Sequence, residues 1–304
     1  MLEALDQIKL NFNQDSLLIL NICIGFIMFG VALELTIGDF KRIATHPRPV
    51  IVGLLSQFAL LPALTYLYVW LVNPSSSVAL GMILVAACPG GNISNFITLV
   101  AKGSAALSVT LTAFGTVLAI FMTPLNFSFW GNLYTSSTQI ENVSVDFLSM
   151  LQTVMLLLGA PLVLGMWVAY RFPAFTQKVK KGVRIVSLLM FVGFIVAALA
   201  ANFNYFMQYI HLIIFLVFGH NALAYLGGYL MGKLSNLSLP DTKSVTIETG
   251  IQNSGLGLAI VFEFFEGLGG MAYIAAWWGI WHILSGLALA WFLARISDTK
   301  TVNA

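Results

Sequence analysis

Apolar residues in this chain come in long, nearly unbroken runs, not in the alternating or one-faced patterns of a water-soluble fold. Crossing a bilayer as a helix takes about 20 mostly apolar residues. Nine runs of that order are expected to be helices, near 17–38, 49–72, 77–101, 105–125, 146–170, 184–201, 206–232, 244–265 and 271–294. No polar stretch between them is long enough for a separate soluble domain. Residues 1–304 therefore read as a single all-α polytopic membrane domain. The stretch before the first run is mixed in charge (Glu3, Asp6, Lys9, Asp15), and no small-residue cleavage site follows it, so that run is expected to be retained rather than removed as a signal peptide.

Two runs depart from the pattern. The third carries Pro89-Gly90-Gly91 at its middle, followed by Asn92, Ser94 and Asn95. The eighth is interrupted by Glu248, Gly250, Gln252, Asn253, Ser254 and Gly255. Proline removes a backbone donor and clashes with the preceding turn, while glycine tolerates unwound backbone. Both runs are expected to be discontinuous helices. Gly91-Asn92-Ile93-Ser94-Asn95 and Gly250-Ile251-Gln252-Asn253-Ser254 are each a glycine followed by amides and a hydroxyl. Paired breaks in helices of opposite direction point to an inverted-repeat transporter.

Charge sharpens the topology. Only 9% of residues are charged, against about 25% in soluble domains, and mean hydropathy is +0.91. Thirteen of the 14 Lys and Arg fall in alternate loops, with Lys9 alone opposite. The positive-inside rule puts those loops and the C-terminus in the cytoplasm and the N-terminus outside, the orientation of a multi-pass protein of the cell membrane. The basic stretch 171–184 fixes this topology, with contact to anionic headgroups as the lesser reading. Stretch 126–145 has no Lys or Arg and reads as an external hairpin; the sequons Asn126-Phe-Ser128 and Asn142-Val-Ser144 within it read as chance occurrences. Cys23 and Cys88 lack metal or redox spacing and read as packing residues. The net charge of +2 lies in the loops and says nothing of nucleic acid.

The candidate chemistry lies at the breaks. Freed carbonyls, amides and hydroxyls are hard oxygen ligands, and half-helix N-termini suit an anionic group. Unwound backbone at membrane depth is tolerated only where it is buried in protein or lines a cavity. Glu248 stands out, because an acidic residue at a membrane-helix centre costs roughly 2.5–3.5 kcal/mol on the insertion scale for Asp. No Lys or Arg lies within a predicted membrane core to pair with it. A bound cation compensates most simply; protonation is the rival, and a neutral hydrogen-bonded acid is the bland alternative. Gln57 is a costly intramembrane amide. Ser108 and Thr112 share a helix face, with back-bonding to their own helix an equal alternative. His282 reads first as a satisfied core histidine. Glu34, Glu263 and Glu266 lie near the ends of runs, where they reach interfacial water.

Nearly the whole chain resembles the bile acid:sodium symporters. The similarity runs from IMFGVALEL and DFKRIATHPRPVIVGLLSQFALLPALTY, through ACPGGNISN, to TIETGIQNSGLG and WHILSG. The resemblance implies two crossing discontinuous helices within a core domain (about 49–125 and 206–295) and a panel domain (about 17–38 and 146–201). It implies nine helices, as in the animal members, where bacterial relatives have ten. It further implies one sodium site from Ser94, Asn95, Ser108, Thr112 and Glu248. Gln57, Glu248, Gln252 and the carbonyls of Thr249 and Ile251 would form a second. Asn92 and Asn253 would face the substrate anion, with His282 as a further substrate residue. Where some relatives have His-Asn, this chain has His282-Ile283, so that polar contact is absent and bile salt itself is not the expected substrate.

The expected function is sodium-coupled symport of an organic anion, bile-salt-like or a small monocarboxylate, by alternating access, with Na+, the anion and the lipid bilayer as partners. The alternative is a sodium-independent or proton-coupled carrier, or a metalloid efflux carrier of related fold. An intramembrane hydrolase using Ser254 or His282 finds no G-x-S-x-G or H-E-x-x-H motif, so no enzyme activity is expected.

Overall fold

The computed structural model describes residues 5–9, 14–35, 45–138, 146–201 and 203–296. Eleven helical elements account for nearly all of them: α1 (Gln14–Ala32), α2 (Pro47–Val72), α3 (Ser76–Ala87), α4 (Ile93–Val100), α5 (Ala105–Thr138), α6 (Phe147–Arg171), α7 (Pro173–Ala201), α8 (Phe203–Leu234), α9 (Leu239–Gly250), α10 (Ser254–Phe265) and α11 (Gly269–Leu293). Five stretches are long and apolar enough to cross a membrane: Pro47–Val72, Ala105–Ser136, Phe147–Arg171, Ile213–Leu234 and Gly269–Leu293. Leu17–Ala32, Ser76–Ala87 and Ser254–Phe265 are shorter apolar helices. Among the described residues there is no strand, only two isolated bridges. Large apolar side chains such as Trp70, Leu156, Val163 and Phe215 point outward, as hydrocarbon rather than water as the surrounding solvent requires.

Both expected breaks are present. Cys88 turns extended ahead of Pro89, as a residue before proline must, and α3 stops there. The second break falls at Ile251–Asn253, between α9 and α10. Neither depends on left-handed backbone, which among the described residues occurs only at Asn73, Lys102, Asn236, Glu266 and Gly267. Glycine serves proximity instead: a Cβ on Gly90 would lie 2.5 Å from Oε1 of Glu248, and one on Gly91 would lie 3.0 Å from the Gln252 carbonyl oxygen.

Three expectations are corrected. Stretch 126–145 is not a hairpin from its start, because α5 runs on through Pro124 to Thr138. The basic stretch 171–184 is mostly the first turns of α7, where Arg184 lies 3.8 Å from Glu34. Lys243 belongs to α9 rather than a loop; it is buried, and its ammonium donates to the carbonyl of Ile296 at 3.0 Å. Residues 36–38 of the first run, Lys41, Arg42, Asn142 and Lys300 lie outside the described residues.

Two π-turns interrupt α2 at Ser56–Leu60 and α6 at Met155–Gly159. Each is closely followed by a proline, Pro62 and Pro161. Pro62 has no N–H to give the carbonyl of Phe58 four residues back, and Asn126 of α5 supplies the donor instead, at 3.0 Å. Asn126 is thus a buried brace inside the bundle and not an exposed sequon. Asn126→Ala strands that carbonyl and is expected to cost about 1–3 kcal/mol, seen as a lower melting temperature of the detergent-purified protein.

At one end of the bundle, residues 5–9 bind the outer turns together. Asp6 accepts from the amide of Ser77 at the start of α3, and the Ile8 carbonyl accepts from Gly269 at the start of α11. Lys9 pairs with Glu266, and that contact holds the Glu266 carboxyl below its ordinary range. Glu263 accepts from Asn21 of α1 at 3.5 Å. Helix α1 also packs on α6, α7 and α10.

Candidate functional site

The two breaks meet. Gly90 and Gln252 form an antiparallel bridge. The amide of Gly91 donates to the Ile251 carbonyl at 3.0 Å, and that of Asn253 donates to the Pro89 carbonyl at 2.8 Å. The two chain segments therefore run in opposite directions where they touch. Four half-helices end at this junction: α3 and α9 present their C-terminal carbonyls, while α4 and α10 present their N-terminal amides. Such ends leave backbone groups without intrahelical partners.

Glu248, in the last turn of α9, is buried against the junction. Its Oε2 accepts from Ser94 Oγ at 2.7 Å and from Ser108 Oγ at 3.1 Å. Its Oε1 accepts from Thr112 Oγ1 at 2.8 Å. Thr112 also lies 3.3 Å from Asn95 Oδ1 and 3.4 Å from Ser94 Oγ. Residues from α4, α5 and α9 are thereby brought to one carboxyl group. Thr112 Oγ1 also lies 3.0 Å from the Ser108 carbonyl, so its single proton is shared between its own helix and the carboxyl group. A carboxyl group toward which these hydroxyl protons turn is satisfied as an anion, whereas a neutral acid would need one of the hydroxyls as an acceptor. The described ion pairs, Lys9–Glu266 and Arg184–Glu34, leave Glu248 without a basic partner.

A second polar group adjoins the first. Gln57 Nε2, within the π-turn of α2, donates to Gln252 Oε1 at 2.8 Å and to the Cys88 carbonyl at 2.9 Å. Gln252 Nε2 donates to the Thr249 carbonyl at 2.7 Å, and Ser56 Oγ lies 2.8 Å from Thr249 Oγ1. The oxygens gathered here are amide, carbonyl and hydroxyl, with one carboxylate. Among the described residues no group of three or more His, Cys, Asp or Glu could hold a metal ion. This donor chemistry fits a hard monovalent cation better than a transition metal.

The residues expected to face substrate are placed less uniformly. Asn92 and Asn253 sit at the starts of α4 and α10. Asn253 uses Oδ1 to cap its own helix through the Leu256 amide at 3.1 Å, and its Nδ2 lies 3.9 Å from Met28 Sδ of α1. Asn92 makes no side-chain cap. His282 is buried in α11, and its Nδ1 has no hydrogen-bond partner among the described residues. Among the described residues no hydrogen bond joins His282 to either asparagine. Its carbonyl instead accepts from Tyr225 Oη at 3.3 Å.

The sequence reading passed over Ser56, Asn221, Tyr225 and Ser285. Asn221 Nδ2 donates to the Gly250 carbonyl at 2.8 Å, and Ser285 Oγ donates to Asn221 Oδ1 at 2.6 Å. The available signal was His220-Asn221, a polar pair inside the apolar run 206–232.

Residues 21–209 match the profile of the Sodium Bile acid symporter family, more than half of the chain. This chain belongs to that family. Among its relatives, the uncharacterized sodium-dependent transporter YocS of Bacillus subtilis (strain 168) is 34% identical over 285 residues, covering 94% of this chain and 86% of that protein. The rice (Oryza sativa subsp. japonica) protein named "Probable sodium/metabolite cotransporter BASS2, chloroplastic" is 31% identical over 249 residues; the match covers 80% of this chain but 56% of that longer protein. The mouse (Mus musculus) Sodium-dependent organic anion transporter is 29% identical over 274 residues, covering 88% of this chain and 71% of that protein. Members of that family are transporters and not enzymes, which fits the reading of this chain as a non-enzyme.

Proposed function

We propose that the chain couples sodium entry to symport of an organic anion, bile-salt-like or a small monocarboxylate, by alternating access across nine membrane crossings. The N-terminus then lies outside and the C-terminus in the cytoplasm of the cell membrane. The observation that carries this reading is Glu248: a buried carboxyl group at the crossing, ringed by hydroxyl donors and with no basic partner among the described residues. Ser94, Asn95, Ser108, Thr112 and Glu248 would hold one sodium ion as co-substrate. The hydroxyls turn their protons toward the carboxylate and keep oxygen lone pairs for the cation. Gln57, Glu248, Gln252 and the carbonyls of Thr249 and Ile251 would hold a second. Half a turn of the Gln252 amide exchanges the nitrogen facing the Thr249 carbonyl for an oxygen.

The anion would bind at the starts of α4 and α10, where unpaired amides and positive dipole ends favour negative charge. Asn92 and Asn253 flank that place, and His282 adds a polar group from α11. Core (about 49–125 and 206–295) and panel (about 17–38 and 146–201) would move against each other, each built from parts of both inverted repeats. The Asn253–Met28 and Glu263–Asn21 contacts are the ones such a movement would remake. A metalloid-efflux reading is not favoured: Cys88 is buried, with its sulfur close against Gly257 of α10.

The test is binding of candidate organic anions to the purified, reconstituted protein in sodium and in potassium. Anion binding in sodium alone is the expected result. Equal binding in the two salts would sink sodium coupling and favour a proton-coupled or efflux carrier.

A further inference from the structure

Two amide side chains make equivalent bonds in the two halves of the chain. Gln57 of α2 donates 2.9 Å to the carbonyl of Cys88, at the end of α3, which follows it by 31 residues. Asn221 of α8 donates 2.8 Å to the carbonyl of Gly250, the last residue of α9, which follows it by 29 residues. In both halves a long helix lends an amide N–H to the end of the next half-helix, at the point where the break begins. The two amides differ in what else they hold. Gln57 reaches across the crossing to Gln252. Asn221 turns away from it, its Oδ1 accepting from Ser285 of α11 at 2.6 Å. Tyr225 Oη lies 3.4 Å from the same serine, and the Tyr225 ring leaves no room for a Cβ on Gly250.

Resting on the sodium reading above, we infer that Asn221, oriented by Ser285, is a positioning residue for the second cation site and the counterpart in the second half of Gln57. The carbonyls proposed to bind that cation, Thr249 and Ile251, flank the one that Asn221 holds. The carbonyl of Ile251 is tied to Gly91, and that of Ile247 to the Ile251 amide. With Asn221 in place, the peptide between Gly250 and Ile251 has a fixed rotation, and the oxygens on either side of it are aimed. Without it, the Gly250 carbonyl is buried with no partner, and the peptide turns to find one. Cation affinity is sensitive to that turn; helix formation is not.

The experiment is thermal unfolding of the full chain in detergent, with NaCl titrated against KCl at constant ionic strength. Sodium binding to the folded state raises the melting temperature with a stabilisation that grows as the logarithm of one plus the ratio of sodium concentration to Kd, with no anion needed. Ser285→Ala and Asn221→Ala are each expected to raise the sodium Kd fitted to that rise by about 3- to 10-fold, the factor one buried hydrogen bond supports. Ser285→Ala keeps every backbone partner and serves if Asn221→Ala does not fold. A lower melting temperature in KCl with an unchanged fitted sodium Kd in Ser285→Ala would make Asn221 a brace only and overturn the inference. Absence of a sodium-specific shift in the unsubstituted protein would instead remove the sodium reading and this inference with it.

Discussion

Glu248→Ala is expected to weaken sodium binding by about 100-fold or more and to abolish anion binding that depends on it. Removing one partner from a buried charged contact costs about 3–5 kcal/mol, and each 1.4 kcal/mol is about tenfold. Glu248 is placed to act on both proposed cations, so its loss cannot be shared out between them. The substitution also takes the carboxylate acceptor from Ser94 and Ser108, while Thr112 keeps the Ser108 carbonyl. Glu248→Gln separates charge from shape, since it keeps the volume but turns an NH2 group toward those hydroxyls. Sodium titrations of both variants, read by melting temperature, should show no sodium-specific rise over the concentrations at which the melting temperature of the unsubstituted protein climbs. An unchanged fitted sodium Kd in either would exclude Glu248 as the cation's anchor.

Gly270→Val is expected to prevent folding or to lower the melting temperature more than any substitution at the crossing. Gly270 opens α11 where it lies on the first turn of α3, and a Cβ there would stand 2.7 Å from the amide nitrogen of Val78 and 2.9 Å from the carbonyl carbon of Ser77. One turn further along α3, Gly81 is just as close to α11, with a Cβ there 2.7 Å from Cα of Met271. These obstacles are backbone, so no rotamer change relieves them, and α11 must separate from α3. Overpacking typically costs about 1–3 kcal/mol, occasionally more, and an isopropyl group added against fixed main chain belongs at the upper end. The check is the yield of monodisperse protein and its melting temperature in potassium. A value within about 2 °C of the unsubstituted protein would mean that α3 and α11 are free to part.

Much of the site could be read before the structure because its signals are costly ones. Pro89, Gly90, Gly91 and Glu248 make no sense inside apolar runs unless a break and a polar centre lie there, and the structure places both. That Ser94, Ser108 and Thr112 gather on Glu248 was legible through the resemblance to the bile acid:sodium symporters and not from the cost of burial, which asks for donors without naming them. Asn221 was overlooked because one amide in a long helix has many cheap explanations, and only the Gly250 carbonyl 29 residues later gives it a use. The extent of α5 was misjudged for a related reason. Stretch 126–138 is polar enough to suggest a loop, yet Asn126 is spent on the Phe58 carbonyl that Pro62 leaves free. The π-turns were illegible as such, although the prolines beside them were in plain view.

The join between the two broken helices is main chain to main chain: Gly91 to Ile251 and Asn253 to Pro89. Alanine at Ile251, Gln252 or Asn253 leaves both of these hydrogen bonds in place. A conventional alanine scan is therefore blind to the link that holds the two halves together, and would credit the junction's strength to whichever side chains happen to stand near it. Only a change to the backbone exposes it. Proline at 91 or 253 deletes one donor outright, so a proline scan, and not an alanine scan, would find the seam.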